Sequence, residues 1–352
     1  MATYNGWENA IELRWEYPLG TVKTGTDSLP FNWLSESPDS LSVGAMPSTR
    51  RVFGYRYLDD SHLRLLQAAP AGALGPQPLW FTESGTAHRL NRLLSSHFQN
   101  AVVGCSIPDP VDCYAVHFPQ PTQPGTWGGF RIFQHYGDGT EAYRWVSGVM
   151  DKMTIGWVPG QPVTITPEFK FLEVNPAYPV GTEVTPWTSE FNYMYGICAA
   201  PLIKVRWNGT VIEVAGFRVI SENNITTRYS TSSRTPVGFL MGEYIATLEL
   251  DVWMSDDFYS LFVGDYLGTG VVPVDKKGTC IIGMLGPTST GGTVTETYNI
   301  NIQMIGKIID IPSISPKGRS GIQTIKMQMT GEGTGFDSPF YIKVGCHPID
   351  YT

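Results

Sequence analysis

Tyr244-Ile245-Ala246-Thr247-Leu248-Glu249-Leu250-Asp251-Val252-Trp253 places Tyr244, Ala246, Leu248, Leu250 and Val252 at every second position. Ile245, Thr247, Glu249, Asp251 and Trp253 fall between them. Successive side chains of an extended strand point to opposite faces, so this order puts the first set on one face and the second on the other. A helix would scatter the same residues around its circumference. The stretch therefore predicts a strand with one buried and one polar face. Val163, Ile165, Phe169 and Phe171 interleave in the same way with Thr164, Thr166, Glu168 and Lys170. Tyr298, Ile300, Ile302 and Met304 interleave with Asn299, Asn301 and Gln303. Period-two segments separated by Gly- and Pro-rich connections predict an all-β fold of the sandwich or barrel type.

Helical periodicity is confined to short pieces. Leu90, Leu93, Leu94, His97, Phe98 and Ala101 recur at three- and four-residue spacing, which predicts a helix over Thr86 to Val102. Ser255 can cap a second short helix over Asp256 to Val263, with acidic residues in its first turn. Near the N-terminus, Ala10 to Tyr17 and Val52 to Tyr57 read as strands. Between them runs a Pro/Ser/Gly-rich loop, Gly20 to Ser48, too long for a tight turn. Its Phe31, Trp33 and Leu34 set it apart from disordered segments, which are poor in aromatics. The expectation is an arm that orders against a partner.

A chain of 352 residues suits about two domains. A weak internal repeat points the same way: Val149-Met150-Asp151-Lys152-Met153-Thr154-Ile155-Gly156 resembles Met304-Ile305-Gly306-Lys307-Ile308-Ile309-Asp310-Ile311. A strand precedes each copy, and a turn with an alternating strand follows it, Pro162 to Val174 in one case and Gly321 to Met329 in the other. The expected organisation is a first β domain over 1–180, including the loop 20–48, and a second over 181–352, each with a short helix.

Composition narrows the function classes. The chain carries 24 Lys and Arg against 32 Asp and Glu, a formal charge of −8, and the basic residues are scattered. Tight sequence-independent grip on nucleic acid needs clustered cations at phosphates, so such a role is excluded, whereas letting DNA slide past is compatible with the charge. Charged residues make up only 16%, beside 10 Trp, 17 Tyr and 16 Phe. A charge-poor, aromatic-rich chain suits a subunit covered by copies of itself, or a thick-cored β protein. The five cysteines include no CxxC, which points to free thiols rather than a zinc or redox site. Met1 to Trp7 lacks the features of a secretory signal, and no apolar run is long enough for a membrane span.

Catalytic and cofactor signatures are missing. Gly306-Lys307 has Asn301 where a phosphate loop needs its first glycine. No serine sits in a GxSxG elbow, and none of the six histidines has a metal-ligand spacing. No enzyme activity, cofactor or metal is expected. One alternative class remains, a carbohydrate-binding or glycan-degrading β-sandwich protein. Glu249 and Asp251 share a strand face about 7 Å apart, with Trp253 next along as a sugar platform.

The residues in order resemble the tail tube (major tail) proteins of long-tailed, non-contractile bacteriophages. The resemblance rests on Glu16-Tyr17-Pro18-Leu19-Gly20-Thr21 opening the long loop, on the Leu-rich helix Leu90 to Phe98, on Trp145-Val146-Ser147-Gly148-Val149-Met150-Asp151-Lys152-Met153, on Val163 to Val174, and on the partial repeat of that unit. It implies a subunit of the virion tail, made in the host bacterial cytoplasm, that self-assembles into stacked rings around a bore for genome ejection. Two such domains per chain imply a homotrimer with pseudo-sixfold rings. The implied partners are further copies of itself, a tape measure protein, tail terminator and tip proteins, and DNA in transit. Within that scheme Thr247, Glu249 and Asp251 are the candidate lumen-facing residues, giving the bore a negative lining, and Phe31, Trp33 and Leu34 are the candidate inter-subunit contacts.

Overall fold

The computed structural model describes residues 11–22, 31–33, 40–42, 45–49, 63–81, 88–104, 114–136, 141–179, 195–196, 203–233, 235–253, 277–289, 296–310, 321–331 and 333–345. In chain order the strands of the first half are β1 (Ile11–Glu16), β2 (Phe31–Trp33), β3 (Ala45–Thr49), β4 (Leu63–Ala68), β5 (Ala71–Ala73), β6 (Gln77–Pro78) and β7 (Trp80–Phe81). Helix α1 (His88–Phe98) follows, and then β8 (Ala101–Gly104), β9 (Tyr114–His117), β10 (Gly129–Tyr136), β11 (Glu141–Trp157), β12 (Thr164–Lys170) and β13 (Glu173–Pro179). The second half contributes β14 (Tyr195–Gly196), β15 (Ile203–Trp207), β16 (Thr210–Ile212), β17 (Val214–Glu222), β18 (Thr226–Tyr229), β19 (Pro236–Leu240) and β20 (Ile245–Trp253). It ends with β21 (Lys277–Ser289), β22 (Glu296–Asp310), β23 (Ile322–Met329) and β24 (Phe340–Gly345). The fold is predominantly β, and every strand pairing among the described residues is antiparallel.

The alternating segments fold as their period requires. In β20, Ala246, Leu248, Leu250 and Val252 are buried while the residues between them are not. Val163, Ile165, Phe169 and Phe171 are buried around β12, as are Ile300, Ile302 and Met304 in β22. The long alternating strand expected over Pro162 to Val174 is divided: β12 ends at Lys170 and β13 begins at Glu173. The helix is shorter than its periodicity suggested. Leu90, Leu93, Leu94 and Phe98 form the buried stripe, but Gln99 adopts positive φ and Ala101 already belongs to β8. The strand Val52 to Tyr57, the helix Asp256 to Val263 and Leu34 lie outside the described residues.

A repeat larger than the eight-residue motif organises the sheet. In the first half the order is β2-β1-β10-β11, and β12 and β13 share the far edge of β11. In the second half it is β16-β15-β21-β22, and β23 and β24 share the far edge of β22. The second strand of each set carries a matching sequence, Ile11-Glu12-Leu13-Arg14-Trp15 in β1 and Ile203-Lys204-Val205-Arg206-Trp207 in β15. Both tryptophans are buried. Isoleucine, leucine or valine, and tryptophan at alternate positions face the core, and the charged residues between them face away.

The halves do not meet at a clean boundary near residue 180. Lys152 to Trp157 of β11 pairs with Glu222 to Phe217 of β17, and β9 pairs with β24. These seams unite 18 strands in one sheet. One continuous apolar cluster includes Leu13, Phe130 and Ile155 together with Val219, Leu248 and Met327. Strand edges expose unpaired N–H and C=O groups, and joining edges across the halves satisfies them. No helix among the described residues is long and apolar enough to cross a membrane.

Candidate functional site: the polar face of the central sheet

Strands β12, β11, β17, β20 and β23 lie side by side, and their register sets residues of distant sequence in rows. One row runs Thr166, Thr154, Ile220, Thr247 and Gln328. The next outward row runs Thr164, Gly156, Arg218, Glu249 and Lys326. The residues between these rows, such as Ile155, Val219, Leu248 and Met327, face the core. Thr247, Glu249 and Asp251 thus share an outward face, as their spacing predicted, and Trp253 extends it with 48% of its surface exposed.

The charge of this face differs from the expected negative lining. Lys326 Nζ lies 2.9 Å from Glu249 Oε1, and Arg218 Nη1 lies 4.0 Å from Glu249 Oε2. Asp251 accepts a hydrogen bond from the Thr324 hydroxyl. Farther along, Lys152 bridges Glu222 at 2.8 Å and Glu168 at 3.8 Å, and Lys170 pairs with Asp151 at 2.8 Å. The hydrogen bond to Glu222 raises the Lys152 pKa above its ordinary value, and the one to Glu249 does the same for Lys326. Glu249, Glu222, Glu168 and Asp151 each draw a cation from a neighbouring strand, because opposite charges set across a strand pair are favoured and like charges are destabilising. The sequence held the signal, since Arg218 and Lys326 sit at outward positions of alternating strands. Only the register shows that they oppose Glu249.

Between β12, β11 and β17 the face sinks into a shallow depression of about 330 Å³. Thr154, Thr164, Thr166, Arg218, Glu249 and Asp251 are among its walls, and Gly156 leaves it without a central side chain. No three His, Cys, Asp or Glu side chains converge as metal ligands among the described residues.

The candidate inter-subunit residues lie elsewhere. The register of β2 sets Trp33 opposite Ile11 and Phe31 opposite Leu13. Trp33 is 2% exposed, and its indole N–H donates to the Gly75 carbonyl at 2.8 Å. Trp33 is therefore a core residue of its own chain, where apolar burial and satisfaction of the indole N–H coincide. It presents no surface to a neighbour.

Two buried polar clusters escaped the sequence reading. In the first, the Tyr244 hydroxyl donates to Ser221 Oγ at 2.6 Å, Ser221 donates to His97 Nε2 at 2.6 Å, and His97 Nδ1–H donates to the Met150 carbonyl at 3.3 Å. Asn223 Nδ2 donates to the His97 carbonyl at 2.6 Å. The serine and histidine are spaced as a nucleophile and base would be, but both are fully buried where α1 meets the sheet. Burial lowers the His97 pKa to about 3, which keeps the ring neutral. The chain of bonds ties α1 to β11 and β17. In the second cluster, Glu16 accepts from Arg131 Nε at 2.8 Å, Ser147 Oγ at 2.9 Å and Gly20 N at 2.8 Å. Gly20 has φ +85, a conformation that favours glycine. Together they fix the turn after β1. Compared with protein-family models and with curated proteins, the chain matches none.

Proposed function

We propose that the chain is a structural subunit of a phage tail tube, which acts by assembling and not by catalysis. Trimers of the chain form rings with pseudo-sixfold symmetry, and the rings stack into the conduit through which the genome leaves the virion. The observation that carries the reading is the recurrence of one strand set, β2-β1-β10-β11-β12/β13, as β16-β15-β21-β22-β23/β24. A chain that presents one unit twice supplies two ring positions, as pseudo-sixfold closure from three chains demands. The broad polar face beside it, with most of its charges held by opposite charges on neighbouring strands, suits a bore along which DNA slides without being held. Tape measure, terminator and tip proteins are the partners of such a tube. The carbohydrate alternative is less well supported, because Glu249 is engaged by Lys326 and Arg218, and Asp251 by Thr324.

Negative-stain images and native mass spectra of the purified protein are expected to show trimeric rings and stacks. A species that stays monomeric across concentration and salt would sink the proposal. A second experiment tests the bore. Replacing Glu249 and Asp251 with lysine turns the Arg218–Glu249–Lys326 cluster wholly cationic, so tubes of the double variant should retain DNA at low salt and release it as salt rises. Retention no greater than wild type would place this face away from the bore, and sugar binding lost without any change toward DNA would favour the carbohydrate reading.

A further inference from the structure

The repeat also indicates where a second copy attaches. Within one chain the long strand of the first half is joined to the second half through β17, with Met153 opposite Ser221 and Thr154 opposite Ile220. β17 is held in place by β20, and β20 by β23. The first half contains the counterpart of that support. Glu168 lies opposite Lys152 as Gln328 lies opposite Lys307, and Ala73 of β5 lies opposite Glu168 as Thr247 of β20 lies opposite Gln328. Segment 40–42 flanks β5 as β17 flanks β20: Ser40 N donates to Ala73 O at 2.9 Å, and Ser42 and Ala71 exchange both backbone bonds. By this register Ser40 is the counterpart of Ile220, and Leu41 that of Ser221.

Among the described residues the receiving edge has no partner strand. β21 pairs with β22 as far as Lys307, and on that side Ile308, Ile309 and Asp310 have no strand partner among the described residues. β23 occupies the other side. Ile309 is 48% exposed, an unusual position for a large apolar side chain on a strand. Backbone groups on an antiparallel strand alternate in direction, so those of Leu41 point away from β5. Each half of the β11·β17 joint thus has a copy at the opposite end of the same chain, facing outward. The two complementary surfaces lie at opposite ends of the succession β5, β12, β11, β17, β20, β23 and β22, an arrangement that suits a head-to-tail contact between chains.

We infer that a second copy of this chain docks its 40–42 segment along this edge of β22, with Ser40 opposite Ile309 and Leu41 opposite Ile308. The contact extends both sheets into one and covers Ile309. It rests on the ring-forming reading above and gives that reading its seam. Directly opposed residues of an antiparallel pair lie about 4.5–5.5 Å apart at Cα, within reach of a disulfide.

The test uses the full-length double variant Ser40→Cys, Ile309→Cys, two exposed positions, oxidised under assembly conditions. Covalent dimers and closed trimers on a non-reducing gel are expected, absent from either single variant. The double variant Thr154→Cys, Ile220→Cys serves as an internal standard and should close within one chain. If native mass spectrometry shows rings and the internal standard closes, but Ser40→Cys, Ile309→Cys gives no interchain bond, the seam is wrong while the ring reading stands. A chain that remains monomeric overturns both. Ile309→Lys, on the exposed side of the edge, should weaken association by about tenfold or more without altering the far-UV spectrum. Unchanged association would also overturn the seam.

Discussion

Replacing His97 with alanine is expected to destabilise the fold by about 3–5 kcal/mol in urea denaturation, the cost of deleting a fully packed ring and leaving buried polar groups without partners. The imidazole lies at the junction of α1, β11 and β17, bonded to Ser221 and to the Met150 carbonyl. Its loss leaves the Ser221 hydroxyl without its acceptor. A loss below about 1 kcal/mol would show that α1 is held by Leu90, Leu93, Leu94 and Phe98 alone. The same site predicts acid sensitivity. Burial lowers the pKa of His97 and of His117, which donates from Nε2 to Asn91 Oδ1, from 6.5 to about 3. Below 6.5 the unfolded chain binds protons at these positions and the folded chain does not, so the stability they confer is complete above about 6.5 and is lost as pH falls toward 3. The slope approaches about 1.4 kcal/mol per pH unit for each histidine. Denaturation midpoints measured from pH 7 to 4 should fall in wild type and fall less steeply in His97→Gln. Parallel profiles would remove His97 from the account.

Glu16→Ala is expected to cost a similar amount, about 3–5 kcal/mol, because it breaks a buried ion pair by removing one partner. Glu16 is fully buried, and the Arg131 side chain is only 11% exposed. Without the carboxylate, Arg131 loses the 2.8 Å bond to Glu16, and the Ser147 hydroxyl and Gly20 amide lose this acceptor. Glu16→Gln keeps one acceptor oxygen and the side-chain volume, so its loss should be smaller. The double variant Glu16→Ala, Arg131→Met should recover part of the stability, because it removes the other partner of the pair as well. If the double variant is no more stable than Glu16→Ala, the buried charge is not what makes the single substitution costly.

The two substitutions mark where the sequence stops being legible. The strands β1, β12, β20, β22 and β23 could be read from their alternation, since the side-chain period of an extended chain is a local property that burial on one face preserves. The stripe of α1 could be read for the same reason, though its last turn could not. There the positive φ of Gln99 ends the helix and Ala101 is claimed by pairing with β9. Thr247, Glu249 and Asp251 were legible as one outward face. Their electrostatic environment was not, because Arg218 and Lys326 arrive from other strands through register, and register is set by how the apolar faces of different strands and their connections fit together, which no single segment shows. Trp33 shows the same division. Its aromatic character promised burial, but whether its own chain or another would bury it depended on the tertiary position of β1 and Gly75. The repeat was only partly visible. The β11 and β22 motifs could be aligned by eye, whereas the match of β1 to β15 took on meaning once both were seen beside equivalent strands, β10 and β21. Sequence by itself determined the all-β class, the buried faces and the poverty of charge, all consequences of side-chain type and spacing. Tertiary structure alone decided which edges meet, which charges are paired and which polar groups are sealed inside, because those depend on contacts between separate strands, more than a hundred positions apart in the two buried clusters.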